Sequence, residues 1–107
     1  MDKAKRKRLE AKGWKIGTVA EFLGLSEQET ALIEIKLALS RQLRQRREKQ
    51  MTQAELAQRI RSSQPRIAKA EGGSGSVSLD LLVRAMLATG ATPKEIGKAI
   101  AGAAEKR

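Results

Sequence analysis

Residues 52–71 read as two short helices joined by a tight turn, and no other feature constrains the fold of this chain as closely. The first helix is Thr52-Gln53-Ala54-Glu55-Leu56-Ala57-Gln58-Arg59-Ile60. Thr52 stands where a cap is needed, and Glu55, three residues on, completes a capping box. Leu56 and Ile60 fall four apart on one face. The second helix follows in Arg61-Ser62-Ser63-Gln64-Pro65-Arg66-Ile67-Ala68-Lys69-Ala70-Glu71. Ser62 or Ser63 caps it. With Ser63 as cap, Pro65 takes the second helical position, where its missing N–H has no helical partner. Ile67 and Ala70 form the apolar face, and Gln64, Arg66 and Lys69 the other. Amide and guanidinium groups at the start of a helix, behind a short turn, are what reading base edges in a major groove requires.

The rest of the chain also reads as helix, with no strand pattern and no internal repeat. Residues 1–12 are charged and contain Ala, and fit a frayed helix or an arm. Gly13 stops it. Trp14, Ile16, Val19, Phe22, Leu23 and Leu25 make a small apolar patch, with Thr18 and Glu21 boxing a short helix that ends at Gly24. Ser26 and Glu29 open a helix that runs without Gly or Pro to about Lys49, with Leu32, Ile35, Leu39 and Leu43 as its stripe. Gly72-Gly73-Ser74-Gly75-Ser76 reads as a flexible connection. Ser78 caps the next helix, whose apolar positions are Leu79, Leu82, Val83, Met86 and Leu87, and Gly90 ends it. Thr92-Pro93-Lys94-Glu95 opens the last helix, with Ile96, Ala99, Ile100 and Ala103 as a narrow seam. The predicted fold is all-α: a compact bundle of about five helices, with residues 1–25 as a basic arm and short helical extension and residues 26–107 as the main domain.

Composition narrows the function. The 107 residues carry a net charge of +10, which favours a polyanionic partner. Residues 1–15 hold seven Lys and Arg against two acids, half of that net charge. Cysteine and histidine are absent, so disulfides, thiolate metal sites and the commonest general base are excluded. No paired-carboxylate constellation stands out. The expectation is a non-enzymatic protein with no metal and no cofactor. No apolar run approaches a membrane span, and the basic N-terminus has no apolar run behind it, so a cytoplasmic location is expected. Trp14 and Phe22 are the only aromatics. Single-strand binding leans on aromatic stacking, so duplex DNA is favoured over single-stranded RNA.

The Thr-Gln-Ala-Glu-Leu-Ala-Gln run and the turn behind it resemble the helix-turn-helix of the Cro/repressor (Xre) superfamily, over roughly Leu39 to Ile100. The resemblance implies a dimeric, sequence-specific repressor on a palindromic operator. It implies that Gln53 touches a phosphate and braces the recognition helix. Gln64 is the best candidate for base contact, matching adenine N6 and N7. Arg66 suits guanine or a phosphate, Lys69 a phosphate, and the Pro65 ring a thymine methyl. Ser62 and Ser63 belong to the same contact surface. Arg61 stands where the family usually has Gly; at positive φ it would cost ~1–2 kcal/mol, so a rebuilt turn with Arg61 facing phosphate is expected. Arg46 and Glu71 match a recurrent Arg–Glu pair that fixes the recognition helix; two unrelated surface charges is the alternative. Gly73 to Ser76 are either phosphate donors or a plain linker. Ile96, Ala99, Ile100 and Ala103 are expected at the dimer interface.

The stretch from Gly13 to Ser26 resembles the N-terminal extension of HigA-like antitoxins. That implies a RelE/HigB-like RNase toxin as partner, and repression of the pair's own operon. The alternatives are a stand-alone or phage-type regulator and a non-specific nucleic-acid-binding protein.

Overall fold

The computed structural model describes Gly24 and residues 26–105, and every regular element among them is an α-helix. These are α1 (Glu27–Glu48), α2 (Gln53–Arg59), α3 (Gln64–Glu71), α4 (Leu79–Ala88) and α5 (Pro93–Glu105). The expectations for residues 1–23 and Leu25, including the basic arm and the Thr18 capping box, lie outside the described residues.

Each start follows from its cap. Ser26 and Glu29 form a reciprocal box at α1, and Thr52 and Glu55 one at α2. Thr92 and Glu95 exchange the same two bonds at α5. Backbone N–H donation from Ser26, Thr52 and Thr92, with their hydroxyls second, holds the carboxyls of Glu29, Glu55 and Glu95 below the usual range. Three helices end alike. The N–H two residues past the cap bonds back five positions: Ser62 to Ala57 (2.8 Å), Ser74 to Lys69 (3.1 Å), Ala91 to Met86 (3.1 Å). This Schellman closure needs a left-handed residue after the cap. Gly73 (φ 78°) and Gly90 (φ 92°) supply it for α3 and α4; for α2 it is Arg61, at φ 54°.

Helix α1 is the spine. Leu39 and Leu43 are fully buried on it and meet Leu56 of α2, Ile67 of α3 and Leu81, Leu82 and Met86 of α4. Full burial of side chains of this size contributes ~1.5–3 kcal/mol each. Helix α5 runs antiparallel along α1, with Glu95 beside Arg46 at one end and Ala103 beside Ala38 at the other. The expected stripe on α1 is buried only in its second half. Leu32 is 45% exposed, Ile35 and Leu37 half-buried. On α4 the buried set is Leu81, Leu82, Ala85 and Met86; Leu87 is 46% exposed. The helix Leu79-Asp80-Leu81-Leu82-Val83 is apolar on most sides, so its periodicity admits more than one inward face, and packing on α1 selects one. The Gly-Ser connection is held rather than free. Ser74 and Ser76 share a 2.8 Å hydroxyl bond, Lys36 donates to the Gly75 carbonyl (3.2 Å), and a Cβ on Gly73 would meet Leu37 at 2.9 Å. No helix among the described residues is long and apolar enough to cross a membrane.

Candidate nucleic-acid interface

Helix α3 sits on α1 and α2 through Ile67 and Ala70, which are buried. Pro65, Arg66 and Lys69 are exposed away from that packing, as is Gln64 at the helix start and Arg61 in the preceding turn. Ser63 caps α3, its hydroxyl accepting from the Arg66 N–H at 3.4 Å. Pro65 lies in the first turn, where no helical bond is lost. Arg61, Arg66 and Lys69 form no ion pair among the described residues, so their charge is free for an anion.

Below this face runs a chain of polar contacts. Arg47 grips Glu71 with two parallel bonds, Nε to Oε2 and Nη2 to Oε1 (2.9 Å), and its Nη1 donates to the Met51 carbonyl at 3.0 Å. The side chains are 12% and 4% exposed. The hydrogen bond to Glu71 pushes the Arg47 guanidinium above its ordinary value, so the arginine stays charged. Gln53 Nε2 donates to Glu71 Oε1 at 3.1 Å, and Gln64 Nε2 donates to Gln53 Oε1 at 2.5 Å. Four side chains on three helices thus form one relay from the buried spine to the exposed face. An open hollow of about 800 Å³ lies beside it, lined by Lys49, Thr52, Gln53 and Gln64 among others.

The pairing expected for Arg46 belongs to Arg47. Helical rotation explains the correction: Arg47 follows Leu39 and Leu43 at spacing four and shares their inward face toward α3, a signal present in the sequence. One residue earlier, Arg46 points to the other side. It donates to the Thr89 hydroxyl (3.1 Å) and lies 3.5 Å from Glu95. Gln50, not singled out from the sequence, donates to the Thr89 carbonyl at 2.8 Å. Together they tie the end of α1 to the α4–α5 turn.

Two further expectations change. The turn is not rebuilt around Arg61; the arginine takes the left-handed conformation, because Ser62 still closes onto Ala57. That closure leaves Ser62 Oγ enclosed, without a hydrogen-bond partner among the described residues, so its hydroxyl is not on the outer face. The seam on α5 is turned inward. Ile96 and Ala103 are 6% and 5% exposed, and Ala99 and Ile100 are half-buried against the same core. An amphipathic helix with a single apolar seam buries it in the nearest core, here that of its own chain, so Ile96 and Ala103 are not free for a second copy.

No curated protein and no solved structure matches the chain. The model of the helix-turn-helix domain family matches residues 38–98. That span is more than half of the chain and takes in the relay, the Arg61 turn and the exposed face of α3. The chain therefore belongs to the helix-turn-helix domain family and carries a DNA-binding fold.

Proposed function

We propose that the protein is a sequence-specific transcriptional repressor that binds a palindromic operator as a homodimer. The observation that supports this most directly is the outer face of α3. Gln64, Pro65, Arg66 and Lys69 stand exposed on a helix whose inner face is fixed by packing and by a buried ion pair. In this reading Gln64 contacts a base, while Arg61, Arg66 and Lys69 contact phosphates or guanine. Gln53 and Ser63 hold Gln64 and the helix start in place. The chain is also proposed to be the antitoxin of a type II toxin–antitoxin pair that represses its own operon. That part rests on the resemblance of residues 13–26 to HigA-like extensions.

We propose α4 as the contact of this homodimer. Leu87 is one of two large apolar side chains exposed among the described residues. It continues the half-buried Leu79 and Val83 at spacing four, and the Asp80–Arg84 pair (3.0 Å) flanks the stripe. A stripe carrying both charges suits itself across a two-fold axis. Half-sites one DNA turn apart, ~34 Å, are expected. Fluorescence anisotropy on duplexes selected from a randomised pool tests the reading. Binding should be much tighter than to random duplex and fall ~10³–10⁵-fold between 50 and 200 mM salt if 6–10 phosphates are contacted. Equal affinity for selected and random duplex would refute specific recognition. Sedimentation that stays monomeric on operator DNA would refute the dimer. Co-expression with a neighbouring RelE/HigB-like reading frame, yielding no complex, would refute the antitoxin role.

A further inference from the structure

We infer that Glu71 is a positioning residue for base choice: through Gln53 it sets which hydrogen-bonding groups Gln64 offers outward. The inference rests on the DNA reading above and goes beyond it. An amide is ambiguous, since carbonyl and NH₂ exchange places by a half-turn. The relay removes the ambiguity one link at a time. Glu71, held bidentately by Arg47, is a carboxylate with acceptors only. Gln53 therefore turns its NH₂ to Glu71, at 3.1 Å, and its carbonyl to Gln64. Gln64 must answer with its NH₂, at 2.5 Å.

What remains on Gln64 is one N–H and the whole carbonyl. That pair matches adenine, whose N7 accepts and whose N6 donates. It does not match guanine, which presents two acceptors, O6 and N7. An amide released from Gln53 can turn both Nε2 hydrogens toward guanine. The direction of the relay is decided at its buried end, where Glu71 is 4% exposed and Arg47 12%. Water therefore has little access to the link that sets it. A residue that never touches DNA thus sets the discrimination made at the surface.

The test measures a ratio of affinities. The operator position read by Gln64 is the one whose preference Gln64→Ala erases. At that position, affinities for A·T and G·C duplexes are compared for the wild-type protein, Gln53→Met and Glu71→Gln. Gln53→Met cuts the relay while leaving the Arg47–Glu71 pair whole, so it tests the idea even if Glu71→Gln fails to fold. The wild type should prefer A·T by about 5- to 140-fold, corresponding to ~1–3 kcal/mol for a bidentate pair. In both variants this ratio should fall severalfold toward parity, over and above any loss common to all duplexes from a phosphate contact of Gln53. A merely structural role would weaken both duplexes alike and leave the ratio unchanged; that result in Gln53→Met overturns the inference. Wild-type protein with no base preference at any position would overturn the DNA reading and this inference with it.

Discussion

Arg61→Gly should make the protein more stable and worse at binding DNA. The left-handed closure of α2 costs a non-glycine residue ~1–2 kcal/mol. Glycine removes that cost but loosens the unfolded chain, which returns ~0.4–1 kcal/mol. The net gain is about 0.5–1 kcal/mol. For a domain of this size that is roughly 2–8 °C in melting temperature. In urea, the midpoint should rise with the slope unchanged. In the proposed dimer on DNA, two guanidinium groups are lost, so the slope of log K against log salt should become shallower by about 2. Arg61→Ala separates the effects. It removes the charge and keeps a Cβ at φ 54°, so it should lose the DNA contact without the stability gain. A midpoint that falls in Arg61→Gly would refute the strain argument. An unchanged salt slope in both variants would show that Arg61 faces no phosphate.

Arg47→Met leaves Glu71 buried without its cation and should cost ~3–5 kcal/mol by urea unfolding, while Arg46→Met, at a half-exposed pair, should cost about 1 kcal/mol or less; equal costs would contradict the assignment. Pairing Arg47→Met with Glu71→Leu should restore much of the lost stability, and additive effects in that double-mutant cycle would show no coupling. Ser62→Ala removes an enclosed hydroxyl with no partner among the described residues and should be neutral or stabilising by about 1 kcal/mol, so a destabilised midpoint would reveal a bond not seen here. Acid should weaken the fold in a defined window. Glu29, Glu55 and Glu95 have folded-state values depressed by their caps, so the stability they contribute is complete above the unfolded value near ~4.3 and is lost as pH falls through the folded values. Thr52→Ala should flatten part of that acid slope and cost about 1 kcal/mol at neutral pH.

Much of this protein is set by local rules that the sequence displays. The caps at Ser26, Thr52, Ser63, Ser78 and Thr92, and the glycines at 73 and 90, mark the helix boundaries because capping and left-handed closure involve only a few consecutive residues. The order of residues across α2 and α3 carries the motif for the same reason: two short helices and a turn are specified within twenty positions. Part of the outward face of α3 follows from the inward one, since burying Ile67 and Ala70 turns Pro65 and Lys69 outward, while Gln64, three residues before Ile67, is exposed because it stands at the helix start. Relations between distant elements needed the tertiary structure. Choosing Arg47 over Arg46 turns on a single helical step of about 100°; the spacing Leu39, Leu43, Arg47 puts the inward position in the sequence, but the seating of α3 against α1 decides that Glu71 is what it meets. The inward turn of Ile96 and Ala103, and the outward turn of Leu87, depend on which neighbour claims an apolar stripe when own core and partner are both available. The direction of the Glu71–Gln53–Gln64 relay required three helices to be brought together, because a hydrogen bond has a donor and an acceptor only once both ends are in place.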